Sequence, residues 1–157
     1  MKFFKQRILV VVKRLHFTHK EFKFKNRSQE TETKPKGLWY GINDSWMNWC
    51  KNEMPNWIPK KPIYYEITLD DRYILFLKSR SDILKFTEEF GQLICQKSEL
   101  RMIDWTMVAK LYSGIEINPY QWECRLGLET LWYYGWDVSS GCIWDQKGIL
   151  EITKKGT

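Results

Sequence analysis

The sequence predicts a mixed α+β domain, and three observations predict it. Runs rich in β-branched and aromatic residues, "IYYEITL" at 63–69 and "RYILFLK" at 72–78, carry the signature of strands. The stretch "SRSDILKFTEEFGQL" instead sets Ile83, Leu84, Phe86 and Phe90 at helical spacing. Strands and helices do not alternate strictly, which argues against a doubly wound parallel sheet. With 43% hydrophobic and 16% aromatic residues, the 157-residue chain is long enough for one sizeable core, so residues 1–157 are read as a single domain.

Each element follows from its own residues. "ILVVV" at 8–12 reads as a buried strand, followed by "RLHFTHKEFKF" and the polar loop "KNRSQETETKPK", which ends in Pro35 and Gly37. "GLWYG" is a short aromatic strand, and Asn43, Asp44 and Ser45 supply the cap of a helix, "SWMNWCKNEM", that stops before Pro55. The two strand runs flank Asp70 and Asp71 and read as a hairpin. A helix capped by Ser81 or Asp82 follows, with Gly91 near its end. "DWTMVAKLY" is a helix from Asp104, "SGIEINP" a strand, and "PYQWECRLGLETLWYYG" a helix with Pro119 near its first turn. "SGCIWD" and "GILEIT" complete the set as strands.

Composition narrows the function classes. No apolar run approaches the ~20 residues that span a bilayer, and the basic start has neither the apolar length nor the cleavage site of a secretory signal, so a cytoplasmic protein is expected. Cys50, Cys95, Cys124 and Cys142 lie far apart, and both histidines, His16 and His19, lie away from them. That spacing matches no zinc site, no metal is expected, and buried free thiols are the reading. Phosphate loops, zincin motifs and the hydrolase elbow are absent. Residues 1–36, the basic strand and loop, hold 11 Lys/Arg against 3 Asp/Glu. They form either a solvated tail or a surface for phosphates or an acidic protein.

The chemistry concentrates in "KPKGLWYGINDSWMNWCKNEMPNW" at 34–57, with four tryptophans. Rings at this density serve either core burial or a ligand pocket oriented by a few polar groups. An ordered set surrounds it: "LHFT" at a strand end, then "KGLWYG", a Ser-started aromatic helix ending "NWC", the "IYYEITL" strand, and the late "SGCIWD" strand. In that order the chain resembles the ADP-ribosyltransferase superfamily, in the branch that includes the poly(ADP-ribose) polymerases. That family carries a His motif on its first strand, an aromatic strand, a Ser-containing turn, a helix ending Asn-Tyr-Cys, and a catalytic Glu opening a late strand.

The resemblance implies a split β-sheet with short flanking helices around an NAD cleft, and transfer of ADP-ribose from NAD+ to a macromolecular acceptor, protein or nucleic acid. It implies that His16 and Thr18 anchor the adenosine side, Trp39 and Trp49 enclose nicotinamide, and Ser45 holds its amide. The chain departs from the family at two points. Trp39 stands where the family has Tyr, with Tyr40 on the opposite strand face. Ser140 stands at the acid's position, with Asp137 as the nearest carboxylate and Glu123 as the other candidate. Asp137, with Ser140 beside it, is therefore the expected catalytic group. A flat cationic ring suits tryptophan faces, and an anionic cofactor suits a basic flank. The alternative reading is a catalytically inactive protein whose aromatic pocket and basic arm bind a nucleotide or nucleic acid. The small size suits a microbial or phage effector acting inside a bacterial cell.

Overall fold

A computed structural model describes residues 11–156. Its architecture is mixed α+β. Ten strands and three helices follow in the order β1 (Arg14–Thr18), β2 (Thr31–Glu32), β3 (Leu38–Ile42), α1 (Ser45–Glu53), β4 (Ile63–Leu69), β5 (Ile74–Leu77), α2 (Arg80–Phe90), β6 (Gly91–Leu93), β7 (Arg101–Asp104), α3 (Trp105–Leu111), β8 (Gly114–Ile117), β9 (Ser140–Ile143) and β10 (Ile149–Gly156). Seven strands form one sheet in the order β10-β4-β1-β3-β9-β8-β5, and β2-β7-β6 form a second. Among the described residues only the β5–β8 pair is parallel.

Alternation along the strands gives the large sheet two apolar faces. One face carries Leu38, Tyr40, Ile42, Ile67, Ile74 and Ile143. The other packs Ile115, Ile117 and Cys142 under Phe86, Trp105, Val108, Trp132 and Trp136. The sheet curls, so that Ile74 of β5 and Ile149 of β10, on opposite edge strands, join the same apolar cluster. The Asp70 amide also donates to the Gly148 carbonyl at 3.0 Å, beside that junction.

Side-chain caps close α2 and α3, whereas α1 starts after Asp44 with no side-chain cap bond, because Asn43 and Ser45 are used on Lys13 and Ser139. Asp104 accepts from the Thr106 and Met107 amides at the start of α3, where the sequence puts it. α2 begins earlier than Ser81 or Asp82: Ser79 accepts from the Asp82 amide at 3.1 Å, and the Asp82 carboxylate accepts from the Lys78 amide at 2.8 Å. The two bonds together move the cap back to Ser79.

Other expectations are corrected. The 63–69 and 72–78 runs form no hairpin: β4 pairs with β1 and β10, while β5 lies at the far edge beside β8. A tight hairpin needs residues with positive φ, but Asp71–Tyr73 form a 3-10 turn capped by Asp70, which sends the chain away. Residues 119–135 form no continuous helix; they hold 3-10 turns at Trp122–Cys124 and Leu131–Gly135. Gly127 interrupts them, and Thr130 turns its hydroxyl onto the Cys124 carbonyl at 2.6 Å, a local bond that competes with helix. The "ILVVV" strand falls partly outside the described residues, Val11 and Val12 lie outside any strand, and the paired strand is the next run, Arg14–Thr18. The loop before Gly37 contributes β2, paired with β7. Three cysteines are buried free thiols, whereas Cys95 is exposed in the β6–β7 connection.

Candidate functional site

β1 and β3 pair only at Arg14↔Ile42 and Leu15↔Gly41. On its other edge each keeps a partner throughout, β1 along β4 and β3 along β9. His16 stands where the ladder stops, its Nδ1 2.6 Å from the Trp39 carbonyl oxygen. A carbonyl only accepts, so Nδ1 carries the proton and donates. Burial lowers the His16 pKa below the ordinary 6.5, opposed by that bond, so the neutral ring is the folded form.

Between the parted strands and the 135–138 segment lies a cavity of about 280 Å³. Its wall includes His16, Trp39, Trp46, Trp136, Lys34, Asp137 and Ser140. Trp136 is fully buried and meets Trp39 edge to face, with ring centres 4.8 Å apart. Its indole N–H is itself buried and has no hydrogen-bond partner among the described residues. The Lys34 ammonium lies over the Trp39 ring at 4.9 Å. Burial pushes the Lys34 pKa down, and the Asp137 carboxylate opposes the shift. Asp137 itself is 3.5 Å from an Arg125 nitrogen.

Four of the seven expected site residues therefore meet in one cavity: His16, Trp39, Asp137 and Ser140. They come from three separate parts of the chain. The other three do not line it. The Thr18 hydroxyl is used in a local turn, donating to the Lys20 carbonyl at 3.0 Å. Ser45 donates to the Ser139 carbonyl at 3.0 Å, which ties the start of α1 to the approach to β9. Trp49 is one helical turn too far along α1 and stacks on Trp46 instead, at 5.1 Å and 15°. Trp46 takes the wall position because Gly41 has no side chain: a Cβ there would lie 2.9 Å from Trp46 Cβ. The turn that brings α1 back over β3 uses Asn43 at φ 51°. Glu123 sits elsewhere, exposed and 3.7 Å from Arg80.

Sequence reasoning missed Lys34, Trp46 and Trp136 as wall residues. Trp46 carried a usable signal, since it follows the cap directly; Lys34 and Trp136 carried none, because only the fold brings them to Trp39. It also missed the group beneath the cavity floor. Glu116 of β8 is buried and accepts from Arg14 Nε at 2.5 Å, Arg14 Nη2 at 3.1 Å and the Tyr40 hydroxyl at 2.8 Å. Burial and the neighbouring carboxylate push the Tyr40 pKa well above its ordinary value.

A second, open depression of about 640 Å³ shares Leu15 and Phe17 with the first and is edged by Lys13, Tyr64, Glu66 and Lys155. Among the described residues no three His, Cys, Asp or Glu side chains gather as a metal site, and no helix is long and apolar enough to cross a membrane. No family model, curated protein or solved structure matches the chain.

Proposed function

We propose that the cavity binds the nicotinamide end of NAD+ and that the protein transfers ADP-ribose from it to a macromolecular acceptor. One observation carries the reading: His16, Trp39, Asp137 and Ser140, assigned from the order of motifs, converge on one aromatic cavity beside a sheet whose first and third strands part. On this reading the fold is an ADP-ribosyltransferase-like split sheet. The cavity, near the low end of the ~300–1,000 Å³ usual for small-molecule sites, suits the nicotinamide riboside half. The remainder of the dinucleotide crosses Leu15 and Phe17 into the second depression, where Lys13 and Lys155 meet its phosphates.

The chain's own groups then divide the work. Trp46 offers a ring face to the cationic pyridinium, the role first expected of Trp39 and Trp49, while Trp39, with the Lys34 ammonium over its ring, closes the wall beside it. In the transfer, the bond between ribose C1 and the pyridinium nitrogen breaks, and nicotinamide leaves with the bonding pair. An acceptor oxygen or nitrogen bonds to C1 and gives up its proton to the Asp137 carboxylate, which faces the cavity. Positive charge builds on ribose as the bond breaks, and the same carboxylate stabilises it. Ser140 supports this strand position and supplies no proton, since its hydroxyl donates to the Val138 carbonyl at 2.9 Å.

NAD+ at 100 times its dissociation constant should stabilise the fold by about 2.7 kcal/mol, read as a rise in melting temperature. Asp137→Asn should cut nicotinamide release by ~10²–10⁴-fold with that rise preserved. No rise with NAD+ or ADP-ribose at millimolar concentration would sink the assignment. The second reading, a binding protein without turnover, is favoured by the serine at the usual acid position. It stands if NAD+ raises the melting temperature while the parent releases no nicotinamide with any acceptor.

A further inference from the structure

Beside the cavity, α1 and the turn after it carry a cluster of tryptophans that the core does not use. Trp46 and Trp49 stack nearly parallel, and Trp57 lies against both at 6.2 and 5.8 Å between ring centres. Trp57 is 55% exposed, a large apolar loss to water unless something covers it. It is also held rigidly. It ends a 3-10 turn that starts at Pro55, its amide donates to the Met54 carbonyl at 2.9 Å, and Pro59 and Pro62 follow. A ring fixed in this way loses little freedom when a flat partner stacks on it.

The charge around the cluster selects the partner. Residues 45–62 contain Lys51, Lys60 and Lys61 against one acid, Glu53. All three lysines are exposed, and none has an ion-pair partner among the described residues. One exposed ring backed by two half-buried ones, with unpaired cations close in the chain, matches a ligand that repeats flat bases and phosphates. Trp46 joins this surface to the cavity, since it lines the cavity and also stacks on Trp49.

We propose that the Trp46–Trp49–Trp57 surface is a stacking platform for single-stranded nucleic acid, and that such a strand is the acceptor delivered to the cavity. The acceptor half of this statement rests on the transfer reading above; the binding half does not. A duplex keeps its bases stacked on each other and offers the platform no ring faces, so the single strand is preferred.

The test uses the full chain with oligothymidylate, oligouridylate and a duplex of mixed sequence, read by tryptophan quenching and by anisotropy of a labelled strand. The parent should bind the single strands more tightly than the duplex. Trp57→Ala should weaken that binding about 5- to 150-fold, the range of one lost base stack, and Trp57→Phe should restore most of it. Lys60→Glu with Lys61→Glu should lower the slope of log affinity against log salt by about 0.7 for each phosphate that is no longer neutralised. Each variant should keep the parent's thermal response to NAD+. Equal binding by Trp57→Ala and the parent, or equal affinity for duplex and single strand, overturns the platform. Single-strand binding without any response to NAD+ leaves the platform standing and removes the transfer reading. Labelled ADP-ribose that arrives on protein and never on the oligonucleotide overturns the acceptor assignment.

Discussion

The two faces of β3 and β9 use polar groups in opposite ways. On one face Tyr40 crosses Gly141 to reach Glu116, and Arg14 closes the far side, so every strong polar group there has a partner. On the other face, one residue along each strand, Trp39 and Ser140 line a cavity with Lys34 and Asp137, and His16, on the Arg14 side of β1, reaches it through the gap between β1 and β3. The first arrangement is closed and rigidifies the sheet. The second leaves groups facing an open volume. The same backbone thus separates holding the fold together from presenting chemistry, because alternate side chains point to opposite sides.

That separation can be broken on purpose, and the closed face should give the largest effect. Glu116→Ala strands the Arg14 guanidinium and the buried Tyr40 hydroxyl, and removing one partner of such a group costs about 3–5 kcal/mol. Urea unfolding should show this loss, and any ligand effect should be secondary to it.

Gly141→Ala probes the same face sterically. A Cβ there overlaps the Tyr40 hydroxyl and lies 2.8 Å from the Ile115 carbonyl oxygen. Backbone on one side and a pinned ring on the other leave nothing to yield, so a loss of about 1–3 kcal/mol is expected in the same assay.

The smallest effect belongs to the gap between β1 and β3. His16→Gln should cost about 0.5–1.5 kcal/mol through the bond to the Trp39 carbonyl. Its pH signature is more informative than its size. The folded pKa of His16 lies below the ordinary 6.5, so between the two values the unfolded chain binds the extra proton. His16 stability is therefore full above pH 6.5 and is lost as pH falls through 6.5 towards the lowered folded value. Urea midpoints measured across that interval should slope in the parent, and the glutamine variant should remove the His16 part of the slope. An unchanged slope would mean that the ring is not held neutral at the strand junction.

Much of the local structure was legible in the residues. Asp104 caps α3 as read, Ser45 opens α1, and β3, β4, β8 and β9 lie where their β-branched and aromatic runs put them. The opposite facing of Trp39 and Tyr40 followed from strand alternation alone, and the two residues do belong to different clusters. These are short-range consequences of caps, turns and period, which act over a few residues.

Partners across the sheet were decided only by tertiary structure. β4 and β5 are nearly consecutive in the chain and similar in composition, yet they sit at opposite parts of the sheet, because strand composition records burial and not the identity of the neighbour. The same reason explains the candidate site. Trp39 and Ser45 looked alike as motif residues, but only Trp39 reaches the cavity. The missing side chain at Gly41 lets α1 settle with Trp46 in the wall, leaving Trp49 outside it. Lys34 and Trp136, far apart in the chain, meet at Trp39 because chain closure brings the 135–138 segment back over the parted strands. The sequence by itself determined which residues can stack, cap or carry charge; the fold decided which of them share one cavity, since that choice depends on contacts between strands that no local pattern encodes.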